Sequence, residues 1–93
     1  MALFLFCGKY TADSLAKVSK ERTKMATDIL AGCGGKIVAG YATLGETDVV
    51  LVADLPGVQD AIRASMGLTK ALGIAFTTAP AVTIEEFDQL AAG

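Results

Sequence analysis

Ala2-Leu3-Phe4-Leu5-Phe6-Cys7 and Val49-Val50-Leu51-Val52-Ala53 are the two runs that decide the fold of this chain. Each is apolar at odd and even positions alike, so a strand built from either would present apolar side chains to both faces of its sheet. The chain has 93 residues, enough for one domain with a thin core, since at this size only about 60–65% of the unfolded surface can be buried. Helices from so short a chain can cover one sheet face, which leaves the other to be covered by a second copy. Composition points the same way. The hydrophobic fraction is 53% and the charged fraction 19%, respectively above and below the ordinary globular range.

Between these runs the pattern alternates in type. Gly8-Lys9-Tyr10-Thr11 reads as a turn with Thr11 as an N-cap, and Leu15, Val18, Met25 and Ile29 keep helical spacing, which predicts one long helix over 12–31 ended by Gly32 to Gly35. Residues 36–44 have strand-like composition and join the second apolar run through Gly45-Glu46-Thr47 as a hairpin. A second helix from Val58 to Gly73 is expected to bury Val58, Ala61, Ile62, Ser65, Thr69 and Leu72, with Gly67 in its interior at a point of close packing. A fourth strand over 74–79 is broken by Pro80. Thr83-Ile84-Glu85-Glu86 is a capping box that starts a short helix over 84–91, with Val82 placed to staple against Phe87. The order β-α-β-β-α-β plus a short C-terminal helix predicts a single ferredoxin-like α+β domain over 1–93, with a four-stranded antiparallel sheet.

Composition excludes several functions. Net charge is −2 with eight dispersed Lys and Arg, which gives no footprint for nucleic acid or an anionic membrane. No run approaches the ~20 apolar residues of a membrane span, and the apolar start lacks the basic stretch of a leader, so a cytoplasmic location is expected. There is no His, so the usual zinc, haem and general-base chemistries lack their ligand, and no cofactor or bound metal is expected. Cys7 and Cys33 form no CxxC and read as small buried thiols. Gly32-Cys33-Gly34-Gly35-Lys36 leaves a helix for a strand, the reverse of a phosphate-binding loop, and reads as a helix stop.

Lys9 and Tyr10 offer an ammonium and a phenol at the end of a buried strand, suited to an anionic or carbonyl ligand; both could equally be a solvating charge and a packed anchor. Tyr41 is a further aromatic candidate, and Asp48 with Glu46 could form a carboxylate pair or simply satisfy backbone donors in the hairpin. In this topology the first and third strands are expected to lie parallel and central, which puts Lys9 and Asp48 about 20 Å apart, at roughly 3.3 Å per strand residue, so that only a neighbouring subunit could bring them together.

The opening strand into Gly8-Lys9-Tyr10-Thr11, the Gly34-Gly35-Lys36 turn, and Tyr41 to Asp48 followed by an apolar strand resemble the GYD-domain family over nearly the whole chain. The family's motif of Gly, any residue, Tyr, Asp reads here Gly45-Glu46-Thr47-Asp48, with Thr47 in the tyrosine position. The resemblance implies the topology of the dimeric α/β-barrel superfamily, in which two such sheets pack face to face, and carries no established activity. The expectation is an oligomeric domain, at least a homodimer through its sheet face, that binds or senses a small molecule at Lys9, Tyr10, Tyr41 and Asp48. The alternatives are a cofactor-independent oxygenase or isomerase and a purely structural subunit.

Overall fold

The chain opens directly into β1 (Ala2–Gly8), and a computed structural model describes all residues from Met1 to Gly93. Two helices follow, α1 (Ala12–Ala16) and α2 (Lys20–Gly32), then the hairpin of β2 (Lys36–Ala42) and β3 (Val49–Leu55). The remainder is α3 (Val58–Leu72), β4 (Phe76–Ala81) and α4 (Ile84–Ala91). The molecule is α+β, with one four-stranded sheet in the order β2-β3-β1-β4 and every neighbouring pair antiparallel. No helix is long and apolar enough to cross a membrane.

Alternation along β1 and β3 sorts their side chains onto two faces. Phe4 and Phe6 of β1 and Ala53 and Leu55 of β3 are fully or nearly fully buried, and pack with Leu30 of α2 and Leu68 of α3 into the core. Their neighbours Leu3, Leu5, Cys7, Val50 and Val52 point the other way and stay only half-buried, because no helix covers that face. Register carries this open face across the sheet. Leu5 pairs with Val52 and with Ala79, and Val52 with Ala39, giving a central row of two large residues flanked by two small ones. Cys7, Val50, Thr77 and Tyr41 form the next row. Both cysteines are free, Cys33 being buried in the core.

The edges of the sheet are irregular. The pairing of β2 with β3 shifts between Ile37 and Ala39, a bulge at Val38. On the opposite edge, Pro80 sits inside β4 opposite Phe4, so the expectation that proline breaks the strand is corrected: an edge strand tolerates a residue without an N–H. The strand also starts later than expected, at Phe76, with Ile74 buried just before it.

The single helix expected over 12–31 is two. Thr11 and Ser14 form a closed capping pair around the one-and-a-half turns of α1, and the Ser19 hydroxyl accepts the Arg22 N–H at 3.2 Å to start α2 afresh. Leu15, Val18 and Met25 are correspondingly exposed, while Ala26, Ile29 and Leu30 face the core. The α2 terminus is a helix stop as read. Gly34 and Gly35 donate their N–H groups to Ala31 O and Leu30 O at 3.0 and 2.9 Å. Gly35 is also required by contact, since a Cβ there would collide with the Asp54 carbonyl.

On α3 the buried stripe is Ala61, Ala64 and Leu68; of the expected Val58, Ala61, Ile62, Ser65, Thr69 and Leu72, Ala61 is buried and Leu72 packs partly buried against the core. Small alanines let the helix approach the sheet closely, and Ser65 moves to the flank, where its hydroxyl accepts from Thr78 Oγ1 at 2.9 Å. Val58 and Ile62 are left 62% and 53% exposed. Gly67 faces Ile29 of α2, so its close approach is helix to helix. Helix α4 starts at the Thr83 cap as expected but buries none of its residues.

This stripe predicts a contrast. Leu68→Ala should lower unfolding stability by about 2–5 kcal/mol, whereas Ile62→Ala should change it by roughly 0.5 kcal/mol or less. Urea titration of both variants checks it, and the reverse ranking would restore the helical face read from sequence.

Candidate functional site

Antiparallel pairing of β1 with β3 sets Gly8 opposite Val49, so the residues just beyond, Lys9 and Asp48, meet at one end of the sheet. The expected separation of about 20 Å is therefore corrected: Lys9 Nζ lies 3.4 Å from Asp48 Oδ2 within a single subunit. The error was one of direction. Strands that enter a sheet from opposite ends bring an outgoing and an incoming terminus together.

Asp48 is a buried carboxylate held on several sides. Oδ1 accepts the Gly45 N–H at 2.9 Å, Oδ2 accepts the Tyr10 N–H at 2.9 Å, and its own N–H donates to Gly8 O at 2.8 Å. Its carbonyl accepts the Thr43 N–H at 2.9 Å, and Lys9 also donates to Gly45 O. The side chain thus ties the end of β1 to both ends of the hairpin connection. The bond from Gly45 also fixes the residue before it. Leu44 has φ +54°, a left-handed conformation that costs a non-glycine residue roughly 1–2 kcal/mol and persists only where its surroundings impose it.

These bonds favour the ionised carboxylate. The Gly45 N–H is the largest influence holding the Asp48 pKa below its ordinary value, joined by the Tyr10 N–H and Lys9 and opposed by burial. Glu46 stays exposed. Asp48 lies outside the apolar cleft described next, so its place is that of a clamp on two loops.

The cleft opens on the helix side of the sheet, between β3 and α2, with a volume of about 90 Å³. Its floor is Ile37, Val49, Leu51 and Phe76, and α2 contributes Arg22, Thr23 and Ala26. Tyr10, Val18 and Leu72 stand at its rim. Of the four residues singled out from sequence, Tyr10 lines this cleft. Lys9 and Asp48 hold each other beside it, and Tyr41, 62% exposed, is on the open face of the sheet in register with Val50.

Sequence reasoning missed Arg22. Its Nη1 donates to Ser14 O at 2.8 Å, and its Nη2 donates to Leu72 O, so it bridges the break before α2 to the end of α3. Leu72 O is one of the carbonyls that a helix C-terminus leaves open, and Ser14 O takes the guanidinium in addition to the Lys17 N–H at 3.2 Å. Its signal was the Ser19 cap three residues earlier, hidden by reading the helices as one.

The sequence profile described as GYD domain matches residues 4–91. No curated protein matches the chain.

The clamp predicts a pH dependence. A carboxyl with a lowered folded pKa contributes stability that is fully present above its unfolded value near ~4 and is lost as pH falls through the folded value. Asp48→Asn should therefore lower the melting temperature at pH 7, and the difference from wild type should shrink as pH falls below about 4. Melting curves from pH 2 to 7 check this; a constant difference would show that ionisation of Asp48 is irrelevant.

Proposed function

The chain belongs to the GYD-domain family, and from that premise we propose that it is a ferredoxin-like subunit that dimerises through its open sheet face and binds a small apolar molecule in the cleft beneath α2. The element order, with β2-β3-β1-β4 in the sheet, supports the ferredoxin-like reading. The observation that carries the functional reading is the cleft itself: an apolar floor on rigid strands with a few polar groups at the rim is the usual form of a ligand site. A volume of about 90 Å³ suits a compact ligand seated with part of its surface outside the cleft. The lining includes no carboxylate, thiol or imidazole, which favours binding over proton abstraction.

Dimerisation is supported by the open face. Its central row, Ala39-Val52-Leu5-Ala79, is apolar throughout, and a ridge between two shallow flanks can pack on its own two-fold copy. Ile84, Phe87 and Leu90 of α4 are 76%, 58% and 71% exposed along one side of that helix and add apolar surface that a second copy can cover. An obligate contact of this kind buries on the order of 1,600 Å² or more. Two free thiols suit a reducing compartment such as the cytoplasm.

Two measurements test the reading. Val52→Lys alters only the open face, so light scattering should give a dimer for wild type and a monomer for the variant; a wild-type monomer at micromolar concentration would end the dimer proposal. Benzene, a neutral apolar probe, should shift the amide resonances of Leu51, Ala26 and Phe76, and Ala26→Leu, which fills the cleft, should abolish those shifts. Shifts that survive Ala26→Leu would locate binding elsewhere.

A further inference from the structure

Arg22 is the one charged residue lining the apolar cleft, and it is half-buried without a carboxylate partner. Arg63, Lys9, Lys17 and Lys24 each pair with an aspartate, Asp60, Asp48, Asp13 and Asp28 respectively. Arg22 instead donates one bond from each terminal nitrogen to a neutral carbonyl, Ser14 O and Leu72 O. A guanidinium has five N–H donors, so the bonds that fix its plane leave three unused, and its charge is uncompensated. The groove on its other side carries Lys17 and Lys70 against the single carboxylate of Asp13, which keeps the surroundings of Arg22 net positive. Tyr10 also lines the cleft and brings a phenol to it, its backbone held by the bond of its own N–H to Asp48.

We propose that the cleft takes a compact apolar molecule bearing one carboxylate, its hydrocarbon part on Ile37, Leu51 and Phe76 and its carboxylate against Arg22, with the Tyr10 hydroxyl as a second donor. The assignment rests on the cleft being the binding site and names the class of ligand it selects. A guanidinium held in place before the ligand arrives loses little freedom on binding, and its fork geometry fits a carboxylate better than a point charge does.

The test uses matched pairs on the unmodified protein: benzoate with benzamide, and hexanoate with hexanamide, titrated at pH 7 and followed by amide and Arg side-chain resonances. The carboxylates should bind roughly tenfold or more tighter than the amides, with shifts at Arg22 and Tyr10. Arg22→Gln should reduce that preference to about twofold or less, and Arg22→Lys should keep part of it. Because Arg22→Gln also releases two carbonyls, the paired ligands on wild type decide the matter if that variant is poorly folded. Equal affinity within each pair, with benzene still bound, overturns the carboxylate assignment alone. No cleft shifts with any of these compounds, benzene included, overturns the binding reading together with it.

Discussion

The antiparallel pairing of β1 with β3 fixes nearly everything else in this molecule. Its register, from Ala2 opposite Leu55 to Gly8 opposite Val49, puts Phe4 and Phe6 on the same face as Ala53 and Leu55, and so decides which side of the sheet the helices must cover. A slip of one residue would exchange the two faces throughout the strand. The same register brings the end of β1 to the start of β3, where one carboxylate ties together two loops that would otherwise be independent. The cleft lies close to that clamp, since Tyr10 donates to Asp48 through its backbone and lines the cleft with its side chain. Loop order and the cleft therefore share a residue.

Much of the architecture was legible in the sequence because it rests on coarse periodicity. The two double-sided apolar runs are the central strands, the glycines after α2 and α3 end them, and the Thr83 cap starts α4. What failed were features set by tertiary context. A serine cap inside a run of helical spacing divides one helix into two, because Ser19 takes an extended backbone and its hydroxyl accepts the Arg22 N–H, which starts a new helix. On α3 the large apolar residues Val58 and Ile62 drew the stripe toward themselves, whereas the sheet selected alanines for close approach.

The site was legible only in part, for a different reason. Tyr10 was visible as a phenol at a strand end, but Arg22 carries no signature beyond its charge, and its importance comes from where two helix termini happen to meet. Strand direction was the costlier mistake. It turned the Lys9 and Asp48 pair into two distant groups, and with that removed a carboxylate with a structural duty from its proper place.

The two flawed edges of the sheet, the bulge at Val38 and the proline at position 80, bear on how copies of this chain can associate. A protein whose surface is so rich in apolar strand is exposed to runaway growth, in which sheets join edge to edge into indefinite ribbons. A kinked strand on one side and a missing hydrogen-bond donor on the other interrupt the ladder at both places where another chain could be added. Stacking face on face, by contrast, closes after one partner, because it consumes the surface that drives it. In the dimer proposed above, the irregular margins would thus give a sticky sheet a finite valence.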